Sequence, residues 1–125
     1  MIKTMYVYAP KQASDGTRIL IARRWPRGIS KGHFDEWYKE LSPEVDTLKK
    51  WLDSKRTEED WKKYLSKFLP QMKRSDAVAK IEELRKRSKK GEIITLLCHC
   101  GPGEHCHRYI IKSKIMGSAR VIESD

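Results

Sequence analysis

The stretch that decides the fold runs Ile93-Ile94-Thr95-Leu96-Leu97-Cys98-His99-Cys100-Gly101-Pro102-Gly103-Glu104-His105-Cys106-His107-Arg108-Tyr109-Ile110-Ile111. Its first part is short, apolar and β-branched, as a strand buried on both faces must be. Gly101, Pro102 and Gly103 then break regular structure. The last part reads as a helix from about Glu104 or Cys106 to Ile115, with Gly117 just beyond its end. Strand, glycine-rich turn and helix make the first half of a βαβ unit, and Arg120-Val121-Ile122 is the candidate closing strand. All three cysteines of the chain and three of its four histidines lie in this turn.

Working outward, Ile2 to Tyr8 reads as a first strand ending at Ala9-Pro10. Arg18 to Ala22 reads as a second, and Glu92 to Leu97 as the third. Between the second and third lies a helical insertion. Phe34, Trp37, Tyr38 and Leu41 fall at i, i+3, i+4 and i+7, which predicts a short helix. Ser42-Pro43-Glu44 opens the next, with Val45, Leu48, Trp51 and Leu52 as its buried stripe. Thr57-Glu58-Glu59-Asp60 caps a third with the stripe Trp61, Tyr64, Leu65, Phe68 and Leu69, and Pro70 should end it. A fourth, from about Ser75, should bury Ala77, Val78, Ile81 and Leu84 and stop at Gly91. The order predicts one α/β domain over residues 1–125: a three-layer, Rossmann-like fold with a small, mainly parallel sheet.

Composition narrows the function classes. A net charge of +10 and a pI near 9.6 favour anionic partners, either a small molecule or nucleic acid. The basic residues are spread over several helices rather than gathered in one arm. No run approaches the ~18 apolar residues of a membrane span. Met1 to Tyr6 lacks the features of a signal peptide, and three cysteines in one turn do not make a secreted disulfide framework. A cytoplasmic protein with reduced thiols and no membrane association is expected.

In open α/β sheets, functional groups collect beyond the carboxyl ends of the strands. Two sets of residues occupy that position: Arg23 to Arg27 after the second strand, and Cys98 to Arg108 after the third. Parallel strands would put both on one rim. Gly101 and Gly103 allow close backbone approach to a ligand, and a helix start favours an anion and a low thiol pKa. One reading is therefore a ligand site, with Arg23, Arg27 and Arg108 clamping a phosphate, Cys98 or Cys106 as the thiol and His107 moving protons. It would bind, or act on, a nucleotide or nucleic acid.

A second reading is a zinc site through Cys98, Cys100, Cys106 and His107, making the protein a metal-stabilised binding module without catalysis. A third is packing alone, with Cys98 buried, Cys100 against Cys106 and the histidines exposed. A non-specific nucleic-acid binder acting through its basic surface is a further alternative. Two familiar motifs are excluded. A phosphatase-type loop needs an arginine six positions after its cysteine, where this chain has Cys106 or Glu104. A zinc-deaminase site needs His-x-Glu and Pro-Cys-x-x-Cys, and both are missing. His33, alone before a predicted helix, reads as a surface residue.

The block Arg18 to Gly28, containing Trp25-Pro26-Arg27-Gly28, with Asp35 to Pro43 and Trp51, resembles the YeaO-like branch of domain-of-unknown-function family 488. Leu96-Leu97-Cys98 and Cys106-His107-Arg108 resemble the late signature of the wider family. The resemblance spans nearly the whole chain and implies an α/β fold without implying a reaction. Ala22 stands where the family usually carries Asp, and Cys100 where it often carries an acid.

Overall fold

A computed structural model describes residues 1–99 and 105–117. Four parallel strands form one sheet: β1 (Ile2–Tyr6), β2 (Thr17–Leu20), β3 (Glu36–Trp37) and β4 (Ile94–Cys98), in the order β1-β4-β2-β3. The last strand in sequence thus lies between the first two. All five residues of β4 are buried, which explains its continuous apolar run. It pairs with β1 from Ile2↔Ile94 to Tyr6↔Cys98, and with β2 from Thr17↔Ile94 to Leu20↔Leu97.

Four helices follow or separate the strands: α1 (Val45–Asp53), α2 (Glu58–Gln71), α3 (Ser75–Lys89) and α4 (His107–Met116). Side chains from all four join Ile19, Ile21, Ile94, Leu96 and Cys98 in the larger hydrophobic cluster. Alternation along the strands sends Leu20 and Leu97 to the opposite face. There they meet Val7, Ala22 and Phe34, supported by Ile29 and Trp37. The fold is α/β and Rossmann-like: helices cover one face, and loops and short 3-10 turns cover the other.

The helix predicted over Phe34 to Leu41 does not form. That segment holds β3 between 3-10 turns at Lys31–His33 and Lys39–Leu41. The free edge of β2 captures it, through Asp35 N–H to Arg18 O (2.8 Å) and Tyr38 N–H to Leu20 O (2.8 Å). The helical spacing was coincidental, because Phe34 and Trp37 pack on one face of the sheet while Tyr38 and Leu41 pack on the other. The box at Thr57 forms as expected, with Asp60 N–H donating to Thr57 Oγ1 and Thr57 N–H to Asp60 Oδ2. Helix α2 runs past Pro70 to Gln71, and Pro70 costs it the one bond back to the carbonyl of Ser66, close enough to the helix end to be tolerated. Val45, Leu52 and Val78, expected in the core, are exposed. The closing strand expected at Arg120-Val121-Ile122 lies outside the described residues.

Two polar networks fix the sheet. Arg18, fully buried on β2, pairs with the buried Asp15 and donates from Nε to His33 O at 2.8 Å. His33, half-buried, also reaches Val7 O at 2.6 Å and so belongs to this network rather than to the surface. At the start of the strands, Arg87 of α3 bonds both Glu92 and Glu36, and Thr17 Oγ1 donates to Glu92 Oε2 at 2.7 Å. The Arg87 guanidinium and the Thr17 hydroxyl hold the Glu92 carboxyl down to about 2.

Gly16 has φ +65°, and a Cβ there would lie 2.2 Å from Ile93 O, the acceptor of Thr17 N–H at 2.9 Å. Gly28 has φ +79° but open space around it. Gly28→Ala should therefore cost about 1 kcal/mol in urea denaturation, whereas Gly16→Ala should cost ~3 kcal/mol or more, because backbone must move as well. Equal costs would contradict the close approach at Ile93.

The Glu92 carboxyl is lowered in the folded state from its ordinary 4.5, so its contribution to stability is present above 4.5 and is lost as pH falls toward about 2. Glu92→Gln should melt below the unaltered protein at pH 7, and the two melting temperatures should converge between pH 4.5 and 2.

Candidate functional site

Because β2 and β4 are parallel neighbours, the segments after them emerge side by side, with Ile21 N–H donating to Leu97 O at 3.0 Å. Ala22 to Arg24 and Cys98 to His99 thus share one end of the sheet, joined there by the start of α4. A cleft of about 860 Å³ opens at this place. Cys98, Cys106 and His107 line its sheet end. Trp51, Trp61 and Tyr64, with Leu48 and Leu52, form an apolar wall from α1 and α2. Arg23, Arg24, Lys49 and Arg56 also line it, and among the described residues the one lining carboxylate is Asp53.

Cys98 and Cys106 are both buried, with Sγ atoms 2.9 Å apart. His107 Nδ1 lies 3.6 Å from Cys106 Sγ and 3.9 Å from Cys98 Sγ. Its Nε2 sits 2.5 Å from Ile21 O. A carbonyl oxygen only accepts, so Nε2 carries the proton and Nδ1 turns a lone pair to the two sulfurs. Cys106 is the N-cap of α4, where free N–H groups and the helix dipole favour a thiolate.

The arginines predicted to clamp a ligand go to different places. Arg23 lines the cleft while donating to Pro43 O (3.0 Å) and Ser42 O (3.2 Å), which straps the segment after β2 to the start of α1. Arg27 is exposed and is not among the cleft-lining residues. Arg108 is fully buried, with its guanidinium 4.7 Å above the Tyr109 ring, Nη2 donating to Tyr109 Oη at 2.8 Å and Nη1 3.8 Å from Cys106 Sγ. It stands behind the cluster, away from the cleft. Cys100, Gly101 and Gly103 lie outside the described residues. The packing-only reading fails on one point: His107 is buried within the thiol pair rather than exposed.

Arg24 and His105 fall within the two expected rim stretches without an assigned role, while Lys49 and Arg56 were not expected as cleft residues. His105 stacks on Trp61 (4.6 Å, 14°) and pairs with Glu58 Oε1 at 2.9 Å, which ties the turn before α4 to α2. One usable signal was the run of Leu48, Lys49 and Leu52 on α1, with Arg56 just beyond its end. Arg56 itself has φ +56°, an unfavourable backbone for a non-glycine residue.

These features define a class: a small parallel α/β protein with a two-cysteine, one-histidine cluster at the carboxyl end of its central strand. The chain belongs to the DUF488 family. The family model described as "Active DUF488-N3 subclade" matches residues 2–118. The chain is also similar to "Uncharacterized protein YeaO" of Escherichia coli (strain K12), at 48% identity over 50 residues. That match covers 38% of this chain and 44% of the relative, so the chain spans under half the relative's length. No solved structure matches. Among the described residues, no helix is long and apolar enough to cross a membrane.

The aromatic wall sets a stability contrast. Trp61 is 4% exposed and packs on Trp51, Tyr64 and His105. Trp61→Ala should cost about 3–5 kcal/mol in chemical denaturation. His105→Ala should cost about 1 kcal/mol, since its Glu58 partner is 79% exposed and the pair is solvent-screened. A His105→Ala cost equal to that of Trp61→Ala would contradict this division.

Proposed function

We propose that the cleft binds a small phosphate-bearing ligand of the nucleotide kind, with its reacting end against Cys98, Cys106 and His107. The observation that carries this reading is the charge of the lining among the described residues, Arg23, Arg24, Lys49 and Arg56 against Asp53. Its volume, about 860 Å³, suits one small molecule rather than a duplex. The wall of Leu48, Leu52 and Trp51 gives a flat apolar group, such as a base, somewhere to rest. Phosphate is a stronger match than carboxylate because several guanidinium groups converge from different elements, and a phosphate offers acceptors in several directions. Arg23 and Arg24 are the anion-binding residues of this reading; Arg108 supports Cys106 from behind.

The test is calorimetric titration with nucleoside mono- and diphosphates, followed by Arg24→Ala and Arg56→Ala. Each loss of a charge-assisted hydrogen bond, ~1.5 kcal/mol or more, should weaken binding by about tenfold. Arg27→Ala, outside the cleft, should leave affinity unchanged. Affinity unchanged in both cleft variants, or no binding below about 1 mM, would rule the reading out. A steep fall in affinity for single-stranded oligonucleotides with added salt, unaffected by Arg24→Ala, would instead favour a nucleic-acid interaction through the +10 surface.

A further inference from the structure

The cluster at the sheet end of the cleft supports a second conclusion that does not depend on the phosphate reading. Cys98 Sγ, Cys106 Sγ and a ring nitrogen of His107 lie within 4.8 Å of one another, and all three residues are buried. The two sulfurs stand 2.9 Å apart, and His107 Nδ1 faces both of them.

We propose that Cys98, Cys106 and His107 hold a zinc-class divalent ion at the sheet end of the cleft. Thiolate and imidazole together are the donor set that selects zinc over magnesium or calcium. Around a tetrahedral ion with bonds of about 2.3 Å to sulfur and 2.0 Å to nitrogen, a sulfur and a nitrogen sit about 3.5 Å apart and two sulfurs about 3.8 Å. The His107 Nδ1 separations, 3.6 and 3.9 Å, already match; the sulfurs need to part by roughly 0.9 Å.

The surroundings are those of a metal ligand set. His107 holds its outer nitrogen on a backbone carbonyl, Ile21 O, which fixes the tautomer and aims Nδ1 inward. The start of α4 at Cys106 and the Arg108 guanidinium, 3.8 Å from its sulfur, set positive charge beside the cluster. Loading is balanced: two S–H bonds break, two metal–sulfur bonds form, and two protons pass to solvent. Among the described residues, these three side chains supply the donors. No oxidant or reductant takes part.

The measurement is metal content by plasma mass spectrometry on full-length protein, purified in a reducing buffer without chelator from zinc-supplemented cells. About one equivalent is expected, falling below ~0.1 in Cys98→Ser and in Cys106→Ser. Cobalt substitution should give the intense visible bands of a tetrahedral site together with thiolate charge-transfer absorption, and both should vanish in Cys106→Ser. If a serine variant does not fold, the unaltered protein still decides the matter. Less than ~0.1 equivalent of metal in it, whether its cysteines react as free thiols or as a Cys98–Cys106 disulfide, overturns the proposal. Nucleotide titration of the zinc-loaded and chelator-treated protein separates this outcome from failure of the phosphate reading. Arg24→Ala should lose nucleotide while keeping its metal.

Discussion

The burial of β4 between two parallel neighbours is the constraint on which the rest depends. A strand enclosed on both faces and both edges has no solvent to satisfy its backbone, so every N–H and C=O must find β1 or β2. Parallel pairing then excludes tight hairpins, and each return must cross over the sheet. The long excursion from β2 to β4 meets that requirement through three helices. Its amphipathic faces close over Ile19, Ile94 and Leu96, with Phe68 and Leu84 fully buried. Gly16 is part of the same constraint, because only a residue without a Cβ lets β2 start so near Ile93.

That topology also makes the cleft. Three strands ending in register deliver Tyr6, Ile21 and Cys98 to one end of the sheet, and the helix after β4 begins there. Arg23 and Gln71 both bond Ser42 O, one from the segment after β2 and one from the end of α2. This shared carbonyl sets where α1 starts, and hence how far its leucines stand from the cysteines. The apolar flank of α1 faces the opening instead of being absorbed into the core, so the cleft has a dry wall beside a basic one.

What could be read from the residues was whatever short-range patterning controls. The β4 run, the Thr57 cap and the stripe of Trp61, Tyr64 and Phe68 each follow from local spacing and burial, and each is in place. Strand direction alone pointed to one rim for Arg23 to Arg27 and Cys98 to Arg108, and of the described residues Arg23, Arg24, Cys98, His99, His105, Cys106 and His107 line one cleft. Phe34 to Leu41 was misread because its partner is the β2 edge, a long-range pairing that helical periodicity cannot register. Arg18 opens the expected second strand, but its pairing with Asp15 in the interior has no local signature, and only the fold brings His33 to it. Arg27 and Arg108 stood next to the right residues in the sequence. A turn at Gly28 and the rotation of α4 sent them elsewhere.

The four tryptophans fall into two separate pairs. Trp25 and Trp37 meet edge-on at 5.6 Å beside Phe34, on the loop-covered face. Trp51 and Trp61 meet at 5.1 Å in the cleft wall, with His105 stacked on the second. The protein therefore carries its own optical reporter. The pair in the cleft wall stands where anything entering the cleft meets it, while the other pair is set apart as an internal reference.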